Sequence, residues 1–180
     1  MESRLCRKAL PISPLAVFMA AIAIIFIIYM VQTEITLRTT SPVKTSVIET
    51  TQAACEVFNV PLALPMSIYM VESSLLKKHM VFKKWENNIR KYVYSIPQMT
   101  YEIAYSEGFR GEPDTLMDYH ESIYWSVKHI ATLMYAYNND ICKVIMAYNA
   151  GDCISGNYDY LDKVLMNYRI YYPNFECEEE

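Results

Sequence analysis

Charge-free runs set the outline of this chain. From Leu10 to Val31 it reads LPISPLAVFMAAIAIIFIIYMV, 22 residues without a charged side chain. Wound as a helix, that run covers about 33 Å, against a bilayer hydrocarbon core of about 30 Å. Pro11 and Pro14 fall at its start, where a helix accepts proline. The polar, threonine-rich segment that follows reads as a tether. Beyond it, apolar residues recur at helical spacing. Ser46 is placed to cap a helix through about Phe58, with Val47, Ala54, Val57 and Phe58 on one face. Pro61 and Pro65 suit the start of a second helix, which ends near Ser74. A third is expected from Gln98 to Glu107, stopped by Gly108. Asp118 and Glu121 resemble a capping box, followed by the stripe Ile123, Val127, Ile130, Leu133 and Met134. Asp140 opens a helix closed by Gly151, and a last one runs from about Tyr158 to Tyr171. With only four glycines and no alternating runs, the expected domain is all-α.

The resulting plan is an N-terminus over 1–9, a transmembrane anchor over 10–31, a tether over 32–46, a helical domain over 47–172 and a frayed acidic tail over 173–180. A cleaved signal peptide is the rival for the first apolar run. It calls for a shorter stretch and a small-residue cleavage site, which the sequence Ile28-Tyr29-Met30-Val31 does not offer. Arg4, Arg7 and Lys8 precede the run, and only Arg38 and Lys44 follow it loosely. The positive-inside rule therefore keeps the first residues in the cytoplasm and exports the domain to the periplasm, or the equivalent side of a virion membrane. The lipid bilayer becomes a partner through that N-terminal helix.

Charge narrows the function further. After Lys44 there are 11 Lys/Arg against 18 Asp/Glu, an acidic balance that argues against nucleic acid as a ligand. Cys55, Cys142, Cys153 and Cys177 form an even exported set that allows three pairings. A bridge from Cys142 to Cys153 would brace the turn between them; buried thiols are the plainer alternative. No two cysteines have C-x-x-C spacing, and His79, His120 and His129 offer no pair at i, i+4, so neither metal nor other cofactor is expected.

The chemistry begins at YMVESSLLKK. From Val57 to Val71 there is no charge, and then comes Glu72. A carboxylate at a helix C-terminus opposes the helix dipole, so the position costs free energy. Its apolar neighbours Tyr69, Met70 and Val71 would raise its pKa and keep it protonated near neutrality, which is what a general acid needs. Read alone, AYNAG at Ala147–Gly151 is an ordinary helix end, and Gln98 in SIPQMT carries no signal.

Taken in order, VFNVPLALPMSIYMVESSL, then Gln98 with MTYEIA, then DTLMDYHESIYWSVKHIATLM, VIMAYNAGDC and YLDKVLMNYRIYY resemble the lysozyme-like soluble lytic transglycosylases, the kind also found in secretion systems and bacteriophages. The likeness extends from about Thr50 to Tyr172. It implies a helical domain that cuts peptidoglycan glycan strands between N-acetylmuramic acid and N-acetylglucosamine, with secretion-system or virion components as possible partners. By motif, Glu72 corresponds to the catalytic acid/base and Ser73 to the serine beside it. Gln98 corresponds to the glutamine of the family's G-L-M-Q segment, and Tyr148 and Asn149 to its cleft-lining Y-N. That segment is Ser95-Ile96-Pro97-Gln98 here, and a basic insert, KKHMVFKKWENNIRK, precedes it and reads as a solvated loop. A hydrolytic muramidase, with Glu86, Glu102 or Asp152 activating water, and a non-catalytic wall-binding or assembly protein are the rival functions.

The charge bias around residues 10–31 gives a first test. Protease added to intact spheroplasts should remove the domain; a fully protected domain would overturn the expected orientation.

Overall fold

The computed structural model describes residues 42–154 and 157–177. The anchor expected at 10–31 lies outside them. Among the described residues no helix is long and apolar enough to cross a membrane.

The described residues form six helices and a small sheet: α1 (Pro42–Phe58), α2 (Ala63–Ser73), β1 (Lys83–Glu86), β2 (Lys91–Tyr94), β3 (Met99–Thr100), α3 (Tyr101–Ser106), α4 (Tyr119–Ala136), α5 (Ile141–Ala150) and α6 (Tyr158–Tyr168). Short 3₁₀ turns cover Lys77–His79 and Pro113–Met117. Helix α1 begins with proline at Pro42, so Ser46 lies inside it and bonds the Tyr119 hydroxyl at 2.5 Å instead of capping it. The expected tether is thus helical from Pro42 on.

Helix α2 takes up most of the charge-free stretch and ends just past Glu72, and it is buried along most of its length. Leu64, Ile68 and Tyr69 are fully enclosed, each stabilising the fold by about 1.5–3 kcal/mol. It packs on α6, while α4 lies against α1 and α5. Ile123, Val127 and Ile130 of α4 join this main core. Two of its buried hydroxyls are satisfied locally: Thr51 donates to the Val47 carbonyl at 2.7 Å and Ser67 to that of Ala63 at 2.6 Å. A second, smaller core gathers Tyr94, Met99, Ala104, Phe109 and Leu116 under the sheet.

That sheet corrects the all-α expectation. β1, β2 and β3 are antiparallel in sequence order, with Trp85 opposite Tyr92 and Glu86 opposite Lys91. The supposed solvated insert is a hairpin. Its alternation puts Lys83, Trp85, Tyr92 and Tyr94 on one face, where Lys83 Nζ sits 4.6 Å from the Tyr92 ring centre and Trp85 packs edge-on against Tyr92. Lys84, Glu86, Lys91 and Val93 take the other face. The third helix is also shorter than expected: it starts at Tyr101, with Thr100 as its cap, and Gln98 sits before it in a turn.

The helix caps at Asp118 and Asp140 are as expected, each carboxylate accepting from backbone N–H groups. Glu121 completes no capping box, because its carboxylate accepts from Trp125 instead. Gly151 ends α5 at φ 87°, a left-handed position that glycine adopts without strain.

The cysteines pair differently from the Cys142–Cys153 bridge considered from sequence. Cys142 is bridged to Cys177, with Cα atoms 5.8 Å apart, and Cys55 and Cys153 are free thiols. Cys142 lies in the first turn of α5 and Cys153 beyond its last, so the helix rise of about 1.5 Å per residue holds them farther apart than a disulfide can span. The bridge also orders the tail through residue 177: Phe175 stacks edge-on against Tyr168, and Arg169 donates to its carbonyl at 3.0 Å.

Since the bridge closes a sequence separation of 35 residues, its loss should cost about 2–4 kcal/mol. Cys142→Ser should lower the denaturation midpoint in oxidising buffer and match wild type under excess reductant. Equal midpoints in oxidising buffer would count against the bridge.

Candidate active site

Glu72 occupies the last turn of α2, and the chain turns sharply after it through Ser74 and Leu75, both at positive φ. Its side chain opens onto a cleft of about 610 Å³ between the helices and the hairpin. Tyr160 of α6 donates its hydroxyl to Glu72 Oε1 at 2.6 Å. Gln98 donates through Nε2 to the Glu72 backbone carbonyl at 2.6 Å, satisfying an acceptor that the helix end leaves without a partner.

Burial pushes the Glu72 carboxyl up to about 7 from an ordinary 4.5. The Tyr160 hydrogen bond pulls the other way, and the nearby charge of Glu86 adds to the rise. Desolvation wins because a single neutral donor replaces only part of the hydration a carboxylate loses. A carboxyl poised near neutrality and facing open space can both give and take a proton.

Behind it runs a chain of hydroxyls. Tyr69 donates to Ser126 at 3.0 Å, Ser126 meets Tyr148 at 3.0 Å, and Tyr148 donates to the Pro97 carbonyl at 3.1 Å. Burial raises both phenols well above their ordinary value, so each remains a neutral donor. The chain ties α2, α4 and α5 to the Ser95–Gln98 turn. Tyr148 lines the cleft, but its hydroxyl hydrogen is committed to that turn. In the turn, Ser95 has φ 55° and Gln98 φ 51°. Ser95 thus stands in a left-handed conformation where the resembling G-L-M-Q segment has glycine, which adopts that conformation freely.

Glu72, Gln98, Tyr148 and Asn149 therefore come together around one cleft. Ser73 does not join them: it is buried, and its hydroxyl bonds back to the Tyr69 carbonyl at 3.1 Å. Of the three other carboxylates considered from sequence, Glu86 lines the cleft and Glu102 and Asp152 do not. Tyr160 and His129 were missed. Tyr160 stood in an amphipathic stripe with Leu161, Val164, Leu165 and Tyr168, where a tyrosine reads as packing. A separate hollow of about 530 Å³ beside Phe58 and Tyr135 is lined by no carboxylate or imidazole.

A sequence profile described as "Transglycosylase SLT domain" matches residues 49–163. The chain belongs to the transglycosylase SLT family. No curated protein and no solved structure matches it. The matched span contains Glu72, Gln98, Tyr148, Asn149 and Tyr160. This family consists of lytic transglycosylases, and peptidoglycan is the substrate the SLT domain implies.

The site makes a prediction independent of turnover. Because the folded-state pKa of Glu72 exceeds its unfolded value, its stabilising effect is fully present below about 4.5 and is lost as pH rises through about 7. Glu72→Gln should remove this slope, gaining up to about 3 kcal/mol over wild type at pH 8. NMR titration should place the Glu72 carboxyl near 7, and higher in Tyr160→Phe, which lacks the opposing donor. An unchanged or lower value in that variant would contradict the geometry.

Proposed function

We propose that this SLT domain cleaves the bond between N-acetylmuramic acid and N-acetylglucosamine without adding water, releasing a 1,6-anhydromuramyl end and opening the wall locally. The observation that carries the reading is one carboxyl, Glu72, pushed up to about 7 and facing the cleft. Protonated Glu72 gives its proton to the glycosidic oxygen as the C1–O bond breaks through an oxocarbenium-like state. The resulting carboxylate takes the proton of the muramyl 6-hydroxyl as that oxygen bonds C1. The ring closes and Glu72 is again protonated, so one residue serves both steps. Tyr160 keeps the carboxylate oriented between them, and Asn149, exposed at the cleft edge, offers its amide to the sugar. We further propose that the domain acts on the exported side of a membrane, tethered by residues 10–31.

Hydrolysis is a second reading, favoured by Glu86. A carboxylate across the cleft from the acid is what a muramidase uses to activate water.

Digestion of purified sacculi in ¹⁸O-labelled water separates the two. Unlabelled 1,6-anhydro ends are expected, and label at the muramic acid C1 would establish hydrolysis. Glu72→Gln should fold and lose about 10²–10⁴-fold or more in rate. Retained activity would remove Glu72 from the mechanism.

A further inference from the structure

The lining of the cleft includes an imidazole that neither step above uses. His129 of α4 lines the same cleft as Glu72, Tyr148 and Asn149, and its ring centre lies 6.0 Å from that of Tyr148. Its Nδ1 is 2.8 Å from Glu107 Oε1. A carboxylate only accepts, so Nδ1 carries the hydrogen of this bond.

Glu107 is itself fixed. Its side chain is only 8% exposed, its other oxygen accepts from the Thr132 hydroxyl at 2.8 Å, and its backbone carbonyl accepts from the Lys128 ammonium. A carboxylate taken this far out of water costs free energy unless it is bonded on both oxygens, and here it is. It serves to set the orientation and tautomer of one ring.

A histidine that only packs would have both nitrogens satisfied internally. Here Nδ1 is taken by Glu107, and among the described residues no buried side-chain nitrogen or oxygen lacks a partner. Among the described residues Nε2 has no hydrogen-bond partner, so it is open, on a part-exposed ring that lines the cleft. With Nδ1 protonated, a neutral ring leaves Nε2 a lone-pair acceptor aimed at substrate space.

We propose that His129, held in its Nδ1–H tautomer by Glu107, is a sugar-positioning residue that accepts a hydrogen bond from a hydroxyl or acetamido N–H of an N-acetylated amino sugar. The assignment rests on reading this cleft as a glycan site, but not on which product is formed there. Thr132 and Lys128 act through Glu107 and do not touch the sugar.

The test uses the Glu72→Gln protein, which binds without turnover, and N-acetylglucosamine oligomers as the probe. Nitrogen-15 spectra of His129 should show the proton on Nδ1 in the free protein and a shift of Nε2 on adding the oligomer. His129→Phe keeps the ring shape and loses the acceptor, so binding should weaken about five- to tenfold, the worth of one hydrogen bond. His129→Gln and Glu107→Gln, which each retain an acceptor, should bind closer to the parent than His129→Phe. In the active protein, His129→Phe should raise KM for glycan strands with kcat nearly unchanged. A proton on Nε2, an Nε2 signal indifferent to the oligomer, or undiminished binding by His129→Phe would each overturn the proposal while leaving the role of Glu72 standing. No binding of the oligomer to the parent would instead count against the glycan reading of the whole cleft.

Discussion

Burial of one carboxyl at the wrong end of a helix is the constraint around which this domain is arranged. Glu72 faces the negative end of the α2 dipole and loses most of its hydration, and both effects favour its neutral form. Were α2 a surface helix, water would screen the dipole and hold the carboxyl near its ordinary value. The apolar residues of α2 prevent this by burying the helix against α6 and the main core. The main core thus stabilises the fold and also sets the proton affinity of the group it surrounds.

The turns around Glu72 are held in conformations that are unfavourable in isolation. Ser74, Leu75, Ser95 and Gln98 all have positive φ, at a cost of order 1–3 kcal/mol each. Three of them are tied down by hydrogen bonds. Ser74 bonds back to Met70, Ser95 takes the Phe82 carbonyl and is fully buried, and Gln98 reaches the Glu72 backbone. The hydroxyl chain from Tyr69 to Pro97 adds a further tie. Replacing a left-handed glycine by Ser95 is tolerable here because the turn is pinned at both ends, so its shape does not depend on glycine's freedom.

The sequence was most readable where a pattern reports a single physical demand. The charge-free run before Glu72, the Asp140 cap and the Gly151 stop each have one reading, and each matches the fold. The hairpin was obscured because its strands are four residues long and carry lysines that face solvent or pair with acids. The Trp85–Tyr92 match across Asn87-Asn88 was the available signal. The Cys142–Cys177 bridge was legible in part: a helix between Cys142 and Cys153 already separates those two. Tyr160 was not legible, since its hydroxyl contact with Glu72 spans 88 positions and local periodicity carries no information about such a pairing. Ser73 shows the opposite failure, a motif neighbour that points into the core.

The hairpin bears on how Glu86 can act. Its carboxylate forms an ion pair with Lys84 and faces Lys91 across the ladder, and it retains 30% exposure. Partly neutralised and hydrated, it raises Glu72 less than burial does. Among the described residues Glu72 pairs with no cation; its partner is the Tyr160 phenol, which can donate to either of its charge states. On the proposed reading, proton transfer falls to the buried carboxyl, and the hairpin carboxylate contributes negative charge beside the cleft. A fixed negative charge there favours an oxocarbenium-like state whether the nucleophile is water or a 6-hydroxyl. It shapes the barrier to bond cleavage without choosing the product.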